Sequence, residues 1–384
     1  MVSQTSTFKK KLKKKVIIAH GYWGRGGAEI ATMYLINAIK DKYEVHLVTR
    51  GGWDLEELNT AARTSISPSE VILVKLPFAY ILKQTVAGNI WHAIFLKYCR
   101  YIAPNYDIRI TASRIIGWGR PALHFLSDVV WNPELEKSYA TELKKPHGFK
   151  KILFLIGKNI GGKSFYELHK DDVFIANSRW TAQLSAPYTT SIPIVINPPI
   201  NQEFELIPWE LRLNQFVSFG RISPEKRIED SISILEKVRE RNFDVKLTIF
   251  GQFSDNDYSK RINDLIKDKD WVDAPGAIYG DKVKTTLPQY RYAISSCTRE
   301  AFGISTGEII MAGIIPFVPF EGAQKELVQN ENLIFDNVEE AVSKVVGLLA
   351  SEKLQLRVQQ ELLLSQSDMS FVSFKHNILR LLES

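Results

Sequence analysis

The sequence predicts an α/β protein of two domains, each a parallel sheet covered by helices, and three observations carry that reading. Short β-branched runs alternate with longer helical patterns, as in a parallel sheet whose crossovers pass over both faces. The alternation completes once and restarts near residue 216, beyond the proline-punctuated stretch Pro193-Ile194-Val195-Ile196-Asn197-Pro198-Pro199. A chain of 384 residues with 45% hydrophobic side chains can fill about two ordinary cores.

Taken in order, Val16-Ile17-Ile18-Ala19 is the first strand, followed by a Gly-rich turn and a helix near Ala28 to Lys40. Further strands are expected near Tyr43 to Thr49, Val71 to Lys75, Asp107 to Ala112, Pro121 to Leu126 and Val173 to Ala176. Pro193 to Pro199 reads as a strand ending in a stiff turn, because proline offers no amide to a ladder. The linker is placed just after it. The second domain opens with Phe216-Val217-Ser218-Phe219-Gly220 and continues through Val245 to Phe250, Tyr292 to Ser296 and Ile315 to Val318, each run ahead of a helix. Phe371 to Leu382 is a final amphipathic segment.

Lys plus Arg exceed Asp plus Glu by 49 to 43, and the net +6 admits phosphates, nucleic acid or an anionic membrane without selecting one. Cys99 and Cys297 fall in different domains, with neither metal-ligand spacing nor a disulfide framework, so a reducing compartment is expected. The lysine run from Lys9 to Lys15, broken only by Leu12, leads into an apolar run too short for a signal-peptide core. An unprocessed, cytoplasmic chain is the expectation. Residues 76–102 are rich in Ile, Leu, Tyr and Trp, but Lys83, Gln84, Asn89, His92 and Lys97 interrupt them, and no transmembrane span is predicted.

The sharpest motif is Glu300-Ala301-Phe302-Gly303-Ile304-Ser305-Thr306-Gly307-Glu308, two glutamates with seven residues between them across a strand-to-helix turn. A helix beginning near Ile304 turns the amides of Phe302 to Ser305 outward, where unpaired donors and the macrodipole favour phosphate oxygens. Gly303 permits close backbone approach. Glu308 then lies about one turn inside the helix, placed to accept two hydrogen bonds from a ribose diol, and Glu300 faces the sugar. The competing reading is that both carboxylates merely favour a helix N-terminus. A second motif, Gly220-Arg221-Ile222-Ser223-Pro224-Glu225-Lys226, sets two cations on a loop after the first strand of the second domain. A departing diphosphate needs such cations, although an isolated pair of this kind is usually solvated.

Together, Gly-Arg-x3-Glu-Lys and Glu-x7-Glu resemble the retaining family-4 glycosyltransferases. The likeness extends to Gly26-Gly27-Ala28-Glu29, at the place of that family's glycine-rich loop, and to His124, similar to the family's histidine near the transferred sugar. The other reading of His124 is a half-buried core residue. Asn177-Ser178-Arg179-Trp180-Thr181 and Asn197-Pro198-Pro199 are similar to elements of members that extend dolichol-linked oligosaccharides, with Asn197 where those carry an aromatic.

The resemblance implies a GT-B fold: two facing Rossmann-like domains, residues 1–198 and 199–365, with a helix in 366–384 crossing back to the first. It implies retaining transfer of a hexose from a nucleotide-diphosphate sugar, UDP- ahead of GDP-, to a glycan or lipid-linked acceptor, with the leaving diphosphate helping to take the acceptor proton. Arg221, Lys226, Glu300 and His124 are then the catalytic candidates. Gly26, Gly27, Gly220, Phe302, Gly303, Ile304, Ser305 and Glu308 are the donor-binding candidates. No metal or other cofactor and no nucleic-acid partner is expected. The lysine run and the aromatic, basic 83–102 region are candidates for lying on an anionic membrane, against the alternatives of a solvated tail and a core helix.

Two other functions compete. Gly157-Lys158-Asn159-Ile160-Gly161-Gly162-Lys163-Ser164 satisfies the Walker A pattern after the apolar run Ile152 to Ile156, as a P-loop ATPase would. Against it, only Phe165 to Asp171 remain for a helix before the Val173 strand, and Leu333-Ile334-Phe335-Asp336 is a distant candidate for the magnesium-binding strand. The other is a catalytically silent glycan-binding module, opposed by the charged residues at all four positions of the second domain. The first glycines do not form Gly-x-Gly-x-x-Gly, which disfavours a dinucleotide, and Asp255-Asn256-Asp257 reads as a solvated loop rather than a metal site.

Overall fold

The computed structural model describes residues 13–24, 26–76, 88–112, 115–132, 134–135, 149–162, 167–200, 203–365 and 369–383. Seven parallel strands form the first sheet: β1 (Lys15–Ala19), β2 (Glu44–Val48), β3 (Val71–Val74), β4 (Ile108–Thr111), β5 (Leu123–Leu126), β6 (Val173–Ala176) and β7 (Ile194–Val195), ordered β3-β2-β1-β4-β5-β6-β7. Six form the second: β8 (Leu213–Phe219), β9 (Leu247–Phe250), β10 (Val272–Asp273), β11 (Tyr290–Ile294), β12 (Ile315–Pro319) and β13 (Ile334–Phe335), ordered β10-β9-β8-β11-β12-β13. Both sheets are parallel throughout the described pairings. The α/β reading holds in both halves.

Apolar composition follows from coverage on both faces. Val16 pairs in register with Val45 on one side and Ile108 on the other, and Val16 to Ala19 are fully buried, so none of these four positions is free to be polar. In each sheet the order reverses beside the first strand, between β1 and β4 and between β8 and β11. Ligands of open parallel sheets bind at the carboxyl ends of strands flanking such a reversal.

The helix Gly88–Ile102 buries Trp91, Phe95, Leu96, Cys99 and Ile102 beneath the first sheet. Residues 88–102 are thus the core helix named as the alternative to a membrane face, and 83–87 lie outside the described residues, as do Lys9 to Leu12 of the lysine run. The last helix, Phe371–Glu383, inserts Phe374 and Ile378 into the first domain's core beside Tyr34. The short strand β10 escaped the sequence reading because two residues show no period, while β13 falls within Leu333 to Asp336, noted there only as a candidate magnesium-binding strand.

Candidate active site

A cleft of about 2020 Å³ lies between the domains, entered by residues following the strand ends of both sheets. Its second-domain wall is built around the helix Ile304–Met311. Gly303 precedes that helix at φ +95°, a left-handed conformation. A Cβ there would stand 3.1 Å from Gln324 Cγ and 3.2 Å from Thr306 Oγ1. Glycine is therefore required twice over, for conformation and for space. No side chain caps the first turn, so its amides are left to an anion in the cleft. Thr306 donates to Gln324 Oε1 at 2.6 Å, and Gln324 Nε2 donates to the Cys297 carbonyl at 3.0 Å, tying the helix start to the strand before it.

Lys226 forms a close ion pair with Glu300 beside this turn, both side chains about one-fifth exposed. Burial alone would pull the Lys226 ammonium down, but the Glu300 carboxylate outweighs it and the pKa is raised, which keeps the cation charged. Arg221 is 73% exposed and reaches Glu225 at 3.6 Å. Gly220, at φ +146°, starts the loop that carries both cations.

From the first domain, the helix Gly27–Ile39 presents its own uncapped N-terminus after Gly26. A Cβ on Gly27 would touch Ile304 Cδ1 at 3.4 Å. Two helix N-termini thus meet across the cleft, a concentration of positive potential suited to a diphosphate. Glu308 accepts from Arg63 Nη1 of the first domain at 3.1 Å. Burial raises the Glu308 carboxyl and Arg63 pulls against it, with burial prevailing.

The structure brings every candidate named from the sequence to this cleft except His124. His124 lies inside β5, fully buried, in register with Phe174 and stacked on it at 5.2 Å, with Nε2 3.2 Å from Asp172 Oδ2. The cleft is lined instead by the residues that follow, Phe125 to Asp128. This corrects its assignment to the sugar. The P-loop alternative does not fit: Phe149–Gly161 is a helix where a P-loop needs a strand and a loop, Ile334–Phe335 belongs to the other sheet, and Lys163 and Ser164 lie outside the described residues. Asp255 is 91% exposed and pairs with Lys260, while Asn256 caps the next helix. Among the described residues no three His, Cys, Asp or Glu gather as metal ligands.

Residues 201–361 match the family model for glycosyl transferases group 1. The chain carries a glycosyl transferases group 1 domain. A curated relative is the GDP-Man:Man(3)GlcNAc(2)-PP-Dol alpha-1,2-mannosyltransferase of Dictyostelium discoideum, 25% identical over 185 residues that cover 44% of this chain and only 37% of that protein. Among solved structures, Anabaena HepE in complex with UDP and glucose superposes with a TM-score of 0.67 at 15% identity, covering 97% of this chain and all of its own. WaaG, a glycosyltransferase involved in lipopolysaccharide biosynthesis, gives 0.69 at 13%, covering 96% and 99%. Sucrose-phosphate synthase from Thermosynechococcus elongatus gives 0.69 at 15%, covering 97% and 98%. These likenesses establish the GT-B fold.

Within the group 1 domain, the Glu300–Gly303 turn is held by residues whose contacts lie outside the reach of sequence reading. Ser178 caps the helix Arg179–Ser185 and also donates to the Ala301 carbonyl at 2.6 Å, with Thr181 donating to the same oxygen at 3.1 Å. Glu326 accepts from the amides of Arg179 and Trp180 at 2.9 and 2.7 Å. Asn197 donates to the Asn177 carbonyl at 2.9 Å. The Asn-Ser-x-Trp-Thr stretch therefore clasps the first domain to the Glu300–Gly303 turn of the group 1 domain. Arg63 was also missed; its only local signal is a left-handed helix C-cap at φ 52°.

Proposed function

We propose that this chain is a retaining hexosyltransferase that takes its sugar from a nucleotide diphosphate, UDP in preference to GDP, and passes it to a glycan or lipid-linked acceptor at the cytoplasmic side of a membrane. The observation that carries the reading is the uncapped Ile304–Met311 N-terminus facing Lys226, with Glu300 and Glu308 at the two ends of the same turn. An anion seated on those amides has its negative charge met by helix dipole and ammonium together. Glu308 supplies a carboxylate for the ribose hydroxyls, exchanging its bond to Arg63 for them.

As the glycosidic bond breaks, charge grows on the β-phosphate, and Lys226 with Arg221 stabilises it. The same phosphate oxygen accepts the acceptor's proton on the face where the leaving group departs, which preserves the anomeric configuration without an enzymic nucleophile. These cations take the place of a divalent metal. UDP and UDP-glucose in the HepE complexes support the donor class, and the dolichol-linked substrate named for the Dictyostelium relative supports the acceptor class. The test is proton NMR of the product formed from UDP- and GDP-hexoses in excess EDTA. Turnover with the donor's anomeric configuration is expected; an inverted product, or complete and magnesium-reversible loss in EDTA, overturns the proposal.

A further inference from the structure

Two successive carbonyls of the Glu300–Gly303 turn are tied by different domains. The Glu300 carbonyl accepts from the Ala323 amide at 2.8 Å, a bond inside the group 1 domain. The Ala301 carbonyl accepts from Ser178 Oγ at 2.6 Å and from Thr181 Oγ1 at 3.1 Å, both on the first domain. Two donors on one carbonyl occupy both of its lone pairs. Ser178 and Thr181 are fully buried and stand outside the cleft lining, whereas Ala301, Phe302 and Gly303 line it. The hydroxyls are themselves held in place: Ser178 Oγ accepts from the Thr181 amide at 3.0 Å, Glu326 receives the amides of Arg179 and Trp180, and Trp180 packs with Val129, Leu135 and Ala323.

The orientation of one peptide follows from these bonds. No peptide bond among the described residues is cis, and in a trans peptide the carbonyl and the following N–H point in opposite directions. Fixing the Ala301 oxygen on the buried side therefore turns the Phe302 N–H toward the cleft. Without the two hydroxyls, that oxygen becomes a buried acceptor with no partner, a cost the peptide relieves by rotating toward water in the cleft. The rotated peptide presents an oxygen to an incoming anion where the native one presents a donor.

We propose that Ser178 and Thr181 are positioning residues for the sugar donor: from the first domain they lock the Ala301–Phe302 peptide with its N–H facing the diphosphate. The proposal rests on the transfer reading above and adds that the phosphate site of the group 1 domain is completed by the domain opposite it. Neither residue touches the donor; both act through the Ala301 carbonyl.

Full-length protein would be titrated by ligand-observed NMR with UDP and uridine, and with GDP and guanosine. Wild type is expected to bind one diphosphate more tightly than the matching nucleoside. Ser178→Ala/Thr181→Val should lose about tenfold or more in affinity for that diphosphate, the effect of one hydrogen bond to a charged group, while nucleoside affinity stays within about twofold of wild type. Thr181→Val alone should lose about threefold, again for the diphosphate only; it keeps the Ser178 cap of the helix Arg179–Ser185, so the test stands should the double variant fold poorly. A change that merely loosened the domains would lower Tm and leave the ratio of the two affinities where it was. Diphosphate affinity equal to wild type, or equal losses for diphosphate and nucleoside, overturns this proposal and leaves the transfer reading intact. Wild-type protein that prefers neither diphosphate to its nucleoside overturns the transfer reading, and this proposal with it.

Discussion

Lys226 offers the sharpest test of the cleft. Its ammonium is held charged by Glu300, is mostly shielded from water and sits beside the uncapped helix turn. A preorganised donor aimed at developing charge in such a site is worth about 3–4 kcal/mol, or roughly 10²- to 10³-fold in rate. Lys226→Ala should lower kcat by that factor. Donor KM should change less, since ground-state phosphate already carries most of the charge and only the increment is specific to the transition state. Arg221→Ala should act in the same direction but more weakly, because Arg221 is 73% exposed and only loosely paired. Steady-state turnover of the donor, with Tm measured to exclude unfolding once Glu300 loses its partner, gives the readout. Lys163→Ala is the control and should leave turnover on a soluble acceptor intact. If both loop variants stay within about threefold of wild type, under 1 kcal/mol by transition-state arithmetic, while Lys163→Ala abolishes activity, the phosphate site has been put in the wrong place.

Glu308→Gln should raise donor KM about tenfold or more with little loss of kcat, because a hydrogen bond to a charged acceptor contributes about 1.5–3 kcal/mol and the ribose is bound alike in both states; an unchanged KM would count against the ribose assignment. Gly303→Ala should destabilise the fold by about 1–2 kcal/mol in urea denaturation, the cost of a Cβ in the left-handed region, and should also raise donor KM; wild-type stability would mean that the turn relaxes freely. His20, 2% exposed and stacked on Trp23, has its pKa lowered from 6.5 to about 4 by burial. The unfolded chain therefore binds a proton below pH 6.5 that the folded one refuses until about pH 4, and stability falls as pH drops through that window. The loss by pH 4 should be about 3 kcal/mol, and His20→Phe should lack this component when urea midpoints at pH 7 and pH 4 are compared.

How far the sequence reveals this molecule depends on the range of the interactions involved. β6 is found at Val173–Ala176, as its apolar run indicates, because a strand buried on both faces excludes polar residues locally. The Glu300–Glu308 turn was equally legible, since Gly303 and the start of its helix are fixed by neighbours in the chain. The Arg63–Glu308 bond joins residues 245 apart and the Ala301 clasp spans more than a hundred; no period or cap announces either. His124 failed for a related reason, because one residue of offset along a strand decides between cleft and core.

The Walker-like stretch shows why the P-loop pattern competed at all. A five-residue apolar run does not distinguish a strand from a helix, and the glycines that imitate a phosphate loop fit either. The spacing between Gly157 and Gly161 is also one helical turn, and both are buried in the helix that packs on Gly88–Ile102. Once those positions face inward, helix geometry sends Ile152, Leu155 and Ile156 to solvent. The coincidence that suggested a nucleotide site therefore has the same physical origin as the exposed apolar positions of this helix.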